Sequence, residues 1–269
     1  MKSVSLFFFL FVVSAVHASV DSIVVFSTIM NKPIKVVVIK PDRLNTSIKL
    51  PVVYLLHGHG ANQQQWIKNA PQIINTANTM NAILVLPDGG YSSWYFDSDI
   101  DTSFKYETFI TKELVPYIDA NYPTLNNRIF RAITGLSMGG HGALYLALKH
   151  NDLFASAGSI CGGVDIRPFP KNWDIAKKLG TIESNPSNWE KNTVINLVDS
   201  LKNDELNIIF DCGADDFFVT VNRALHKKLL SKKIAHTYTE RPGKHNSDYW
   251  GSSIDYQLIY FKNWFADNQ

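Results

Sequence analysis

Ser137 sits at the centre of Gly135-Leu136-Ser137-Met138-Gly139, between the apolar run Arg128 to Thr134 and the helix-like Gly140 to Leu148. A serine hydroxyl is a weak nucleophile at neutral pH. It becomes an effective one when it is exposed, when a base lies within hydrogen-bond reach and when donors await the oxyanion. A tight strand-to-helix turn, a nucleophile elbow, supplies the exposure. Glycines two residues to either side suit a crowded turn that holds the serine in a strained backbone conformation. The following helix aims its free N–H groups at the site, and the Met138 amide is placed to donate to a developing negative charge. An ordinary glycine-rich turn would match the five residues but not their strand-then-helix setting.

The partners of such a serine follow it in the order acid, then histidine, each on a turn after a strand. The apolar Asn207-Ile208-Ile209-Phe210 leads into Asp211-Cys212-Gly213-Ala214-Asp215-Asp216-Phe217. Asp211 is still at the strand end, whereas Asp215 and Asp216 lie beyond Gly213 on a loop that can reach a histidine. Asp216 is preferred and Asp215 comes second. Of the eight histidines, His17 falls in the N-terminal apolar segment, and His57 and His59 precede the elbow. His141 and His150 lie on the elbow helix, His226 in a lysine-bearing helix and His236 within a strand. His245 remains, on a loop between the last strand and the last helix. It would take the proton from Ser137 and return it to the leaving group, while Asp216 fixes its tautomer and balances the imidazolium.

A second oxyanion donor belongs on the loop after the third strand, here His57-Gly58-His59-Gly60-Ala61-Asn62. The His59 amide is the expected donor, with Gly60 as the alternative. His57 and His59 would share one face of an extended segment. No third ligand stands at zincin spacing, so neither a metal nor another cofactor is expected. Asp88, Trp94 and Tyr95 follow the fourth strand. Trp94 and Tyr95 are candidate substrate-binding residues, an aromatic platform for a sugar or phenolic group, with core packing as the competing reading.

These residues need a scaffold, and the rest of the chain describes one. Ser22 to Thr28 and Ile34 to Lys40 read as an opening hairpin around Asn31-Lys32-Pro33. The nearly continuous apolar runs at 51–56, 82–87, 129–134, 154–160 and 206–210 read as strands buried on both faces. Amphipathic segments at 64–80, 104–120, 140–150, 219–231 and 254–266 alternate with them. The pattern predicts an α/β fold with a mostly parallel central sheet and helices on both faces. Gly162 to Glu205 interrupts the alternation and is expected either to shape the binding face or to pack as an excursion.

Met1 to Ala18 has a lysine at position 2, an apolar block and a Val16-His17-Ala18 cleavage pattern, which is the form of a secretory signal peptide. Its apolar block is shorter than the ~20 residues of a spanning helix. A secreted or periplasmic location is expected, with no stable membrane insertion after cleavage and one domain over 19–269. A net charge of +2 gives no support for a nucleic-acid partner. Cys161 and Cys212 lie at the ends of apolar runs and read as buried free thiols rather than a bridge.

The elbow through Ala143, the segment Leu55-Leu56-His57-Gly58-His59-Gly60, the run Pro87 to Tyr95 and the stretch Tyr106 to Leu114 resemble one esterase family. It includes tributyrin, feruloyl and acetyl xylan esterases, esterase D (S-formylglutathione hydrolase) and the antigen 85 mycolyltransferases. The resemblance spans nearly the whole mature chain. It implies an α/β-hydrolase fold without a large lid and carboxylic ester hydrolysis through an acyl-enzyme. By the family pattern, Ser137, Asp216 and His245 match the triad, and the amides of His59 and Met138 match the oxyanion hole. Where relatives often have an apolar residue, this chain has His59, whose imidazole could line the pocket. The expected substrate is a small-molecule or polysaccharide-linked acyl ester of acetyl, butyryl or feruloyl type. An acyltransferase of the same fold, or a non-catalytic carbohydrate-binding protein on a hydrolase scaffold, is the alternative. S-formylglutathione fits poorly with export.

Overall fold

The computed structural model describes residues 18–42 and 48–269. The expected signal segment, Ala18 apart, lies outside the described residues.

Eight strands form one mixed sheet: β1 Ser19–Ser27, β2 Lys32–Lys40, β3 Val52–Leu56, β4 Ile83–Pro87, β5 Arg131–Gly135, β6 Ser156–Ile160, β7 Asn207–Gly213 and β8 Thr237–Arg241. Their order is β1-β2-β4-β3-β5-β6-β7-β8. The β1–β2 and β2–β4 pairs are antiparallel and the other five are parallel. Every residue of β3, β4, β5 and β6 is buried. That is why those runs lack the apolar-polar alternation of a half-exposed strand.

The helices are α1 Gln65–Asn69, α2 Ile73–Met80, α3 Tyr106–Thr108, α4 Val115–Asn121, α5 Met138–Lys149, α6 Ile175–Leu179, α7 Pro186–Lys191, α8 Val194–Leu197, α9 Val219–Ser231 and α10 Ser247–Asp267. Side chains of successive strand residues point to opposite faces. On β6, a Cβ at Gly158 would meet Gln257 of α10, while Ser159 meets Gly140 of α5. The elbow helix and the C-terminal helix therefore cover opposite faces. Helices α1 and α2 pack with α10, and α8 bridges α5 and α9. Among the described residues, no helix is long and apolar enough to cross a membrane.

Several boundaries differ from the sequence expectation. The segment 64–80 is two helices, because Pro71 has no amide to continue the ladder. The segment 104–120 contains a wide π turn at Phe109–Leu114, next to Pro116 in the first turn of α4. The last helix starts at Ser247 rather than 254, capped by the Asn246 side chain, which accepts from the Tyr249 amide at 3.1 Å. Strand β7 runs on through Asp211 and Cys212, and His236 precedes β8 instead of lying within it. The excursion 162–205 holds the short helices α6 to α8 and no strand.

Candidate active site

The elbow is built by backbone contact. Ser137 has φ 55° and ψ −116°, a conformation that costs a non-glycine residue about 1–3 kcal/mol and persists only where its surroundings hold it. Its amide donates to Ile160 O at 2.9 Å, its carbonyl accepts from the His141 amide at 3.0 Å, and Gly139 N donates to Leu136 O at 2.7 Å. Gly135 and Gly139 are glycines because of space: a Cβ on Gly139 would lie 2.4 Å from Leu56 O, and one on Gly135 would lie 2.5 Å from Gly139 backbone. The turn carries the nucleophile directly onto the N-terminus of α5.

His245 Nε2 lies 2.9 Å from Ser137 Oγ, and His245 Nδ1 lies 2.7 Å from Asp216 Oδ2. The Asp216 side chain is buried, and its Oδ1 accepts from the Phe218 amide at 2.7 Å. The structure thus brings Asp216, not Asp215 or Asp211, to the histidine. Asp215 is exposed. Asp211 is buried in β7, where it accepts from Ser253 and Gln257, and burial pushes its carboxyl above the usual range. Burial draws His245 toward the neutral form, but the hydrogen bond and charge of the Asp216 carboxylate outweigh it. Its pKa stands above the ordinary imidazole value of 6.5.

The Met138 amide opens α5, where it has no intrahelical acceptor. Across from it runs the loop after β3. His57 Nδ1 lies 2.8 Å from Gly58 O, and its Nε2 accepts from Gly89 N at 2.7 Å. With Nε2 accepting, Nδ1–H donates to Gly58 O, which fixes the Gly58–His59 peptide. Carbonyl and amide point opposite ways in a trans peptide, so the His59 N–H is turned away from the His57 ring. Among the described residues neither the His59 nor the Met138 amide donates to a protein acceptor. Both ring nitrogens of His57 are engaged within the protein, so His57 and His59 do not form a metal pair.

Trp94 and Tyr95 are not brought to the site. They are 1% and 0% exposed, on consecutive residues with positive φ. Tyr95 OH clamps the His57 backbone, accepting from its amide at 3.0 Å and donating to its carbonyl at 3.1 Å. Trp94 Nε1 donates to Trp173 O at 3.3 Å. Asp88 accepts from Gly90 N at 2.8 Å and shapes the same turn. Trp94 and Tyr95 thus brace Trp173 and the His57 loop rather than lining the cleft.

A cleft of about 150 Å³ opens at Ser137, lined by Gly58, His59, Gln65, Trp173, Phe217 and Trp250 among others. Larger hollows of about 320 and 430 Å³ lie elsewhere, beside Tyr260 and beside Glu107 and Lys149. Neither is lined by a serine or a cysteine. The Phe217 ring lies 4.2 Å from that of His245 and stacks on Trp173 at 5.6 Å and 22°. Trp250 stands edge-on to His245 at 5.0 Å. Nε2 of His59 and Nε1 of Trp250 are buried without a protein partner among the described residues. Reading the sequence does not single out Phe217 or Trp250, and it places Trp173 only within the excursion 162–205 expected to shape the binding face. The adjacency of Phe217 to Asp216, and the place of Trp250 one turn into the helix after His245, were the available signals.

The family described as Putative esterase matches residues 27–261. An esterase of Mycobacterium tuberculosis is 31% identical over 77% of this chain and 51% of its own length, so the chain spans about half of that relative. An acetyl esterase of Caldicellulosiruptor saccharolyticus is 29% identical over 77% of this chain and 82% of its own. Among solved structures, a ferulic acid esterase superposes with a TM-score of 0.80 at 27% identity, covering 93% of this chain and 100% of the other. An S-formylglutathione hydrolase from Agrobacterium tumefaciens, 20% identical, shares the fold with a TM-score of 0.81 over 94% of this chain and 97% of its own. From its strand order, its elbow and these similarities, the chain belongs to this esterase family and has the α/β-hydrolase fold.

Proposed function

We propose that the protein is an exported serine esterase that hydrolyses short-chain or carbohydrate-linked acyl esters through an acyl-enzyme on Ser137. The observation that carries this reading is the continuous line Ser137 Oγ, His245 Nε2, His245 Nδ1, Asp216 Oδ2, with separations of 2.9 and 2.7 Å at its two hydrogen bonds.

Ser137 Oγ attacks the ester carbonyl carbon as His245 Nε2 accepts its proton. The carbonyl oxygen becomes an oxyanion facing the Met138 and His59 amides, donors already oriented before charge develops. Collapse breaks the carbon–oxygen bond to the alcohol, which leaves with the proton from His245. Water then attacks the acyl-serine, His245 takes its proton, and the carboxylic acid departs as Ser137 is restored. Asp216 keeps Nδ1 protonated throughout and balances the imidazolium without itself taking the proton.

The cleft volume of about 150 Å³ supports an acetyl or butyryl group, or a single ring, over a long chain. A protein cavity of this size holds one benzene molecule. Export is supported by the signal-like composition of Met1 to Ala18. A single domain over 19–269, with 162–205 as an insertion, is supported by the one continuous sheet.

A panel of p-nitrophenyl esters from acetate to palmitate, with feruloyl and acetylated xylan substrates, tests the reading on wild type and Ser137→Ala. Serine-dependent turnover that is highest for short acyl groups is expected. A folded wild type without turnover would overturn the reading. Because the pKa of His245 is raised, the neutral base is lost on the acid side at a pH above 6.5. A kcat/KM profile still flat down to pH 5 would contradict that assignment.

A further inference from the structure

Cys161 is a buried thiol beside the triad that the proposed reaction does not use. Its Sγ, a ring nitrogen of His245 and a carboxylate oxygen of Asp216 all lie within 4.8 Å of one another. The strong hydrogen bonds there are already assigned. His245 Nδ1 faces Asp216, Nε2 faces Ser137, and Asp216 Oδ1 accepts from Phe218. A thiol is a weak donor and a weak acceptor. Packed against a buried imidazole–carboxylate pair, it excludes water without competing for the lone pair that orients the ring. A hydroxyl in its place would compete, and a methyl group would leave room for the ring to rotate.

The backbone fixes this thiol with the same care as the nucleophile. Cys161 follows β6 at a φ of 46°. Its amide donates to Asp211 O at 2.8 Å, and the carbonyl of the preceding Ile160 accepts the Ser137 amide at 2.9 Å. One turn therefore ties the elbow, the end of β6 and β7, the strand that leads to Asp216, together, with the sulfur at their junction. Burial keeps the Cys161 thiol protonated, so it does not act as a rival nucleophile. Cys212, on β7, is equally buried and contacts Cys161, but it is outside the cluster with His245 and Asp216.

We propose that Cys161 is a positioning residue of the ester-hydrolysis site: its sulfur holds the His245 ring in register with Asp216 and keeps that pair dry. This rests on the triad reading above.

The test compares Cys161→Ser, Cys161→Ala and Cys212→Ala with wild type on p-nitrophenyl acetate, across pH and by thermal melting. Cys161→Ser is expected to lose about tenfold in kcat with KM within about twofold. Its acid limb should move to lower pH, because a hydroxyl donating to Asp216 weakens the hold of the carboxylate on the imidazolium. Cys161→Ala should show a smaller kcat loss in the same direction. Cys212→Ala should lower the melting temperature and leave the pH profile in place.

A merely structural role would make the two alanine variants alike in melting temperature and in an unshifted acid limb, and that result overturns the proposal. If the Cys161 variants do not fold, proton NMR of wild type decides. A slowly exchanging His245 Nδ1 proton supports the dry wall, and rapid exchange with solvent overturns it. Ser137-dependent turnover with unaffected Cys161 variants sinks this inference alone, whereas turnover surviving in Ser137→Ala sinks the triad reading beneath it.

Discussion

At the elbow, the fit is made by backbone. Leu56 O, Gly139 and Ile160 O crowd around Ser137, and no side chain could be added at Gly135 or Gly139 without displacing main chain. Across the same cleft, the wall is made by side chains from three distant segments. Trp173 comes from the excursion between β6 and β7, Phe217 from the loop after β7, and Trp250 from α10. Phe217 remains 51% exposed although it touches His245. The contrast separates two jobs. On the proposed function, the elbow has one solution and sets whether the reaction runs, whereas the wall has many and sets which ester enters.

That separation can be broken by mutation. Gly139→Ala, which puts a methyl group against main-chain oxygens, should show the largest effect. Thermal melting should reveal a loss of about 2–3 kcal/mol, and kcat should fall about 100-fold as the serine is displaced. Near-normal kinetics would mean that the elbow is as tolerant as the wall. Phe217→Ala should be selective, with kcat/KM for ring-bearing acyl esters falling about tenfold while the acetate value stays within about threefold. An equal loss on both substrates would move Phe217 from the wall into the support of His245. His59→Ala should matter least, since the part proposed for His59 is that of its main-chain amide, which the substitution keeps. A kcat change of under about threefold is expected, and a larger one would show that the imidazole itself serves the reaction.

The same contrast explains how far the sequence could be read. The sheet was legible because strands buried on both faces must be continuous apolar runs, as at Val52–Leu56 and Ile83–Leu86. The elbow was legible because its chemistry is local: strand, glycine, serine, glycine and helix are consecutive in the chain. The order of acid and histidine pointed to Asp216 and His245, which the fold brings into contact with each other and with Ser137. The wall was not legible, because Trp173 and Phe217 stack only after residues more than forty apart in the chain have been folded together. Trp94 and Tyr95 looked suited to a sugar or phenol by type and position, but burial assigns them to holding the His57 loop and Trp173. Helix limits failed for a similar reason. Ser247 to Ser253 has only Tyr249 and Trp250 as apolar residues and contains Gly251, yet it is helical because Asn246 caps it and α1 packs closely on that glycine.

Ser137, activated by His245 and Asp216, is expected to become covalently acylated. Rapid mixing of the protein with p-nitrophenyl acetate measures this directly. A burst of one p-nitrophenol per active site before the steady state is expected in wild type, with an acetyl group on the Ser137 peptide by mass spectrometry and neither signal in Ser137→Ala. Turnover persisting in Ser137→Ala, or an acetyl group carried on another residue, would mean that Ser137 is not the nucleophile.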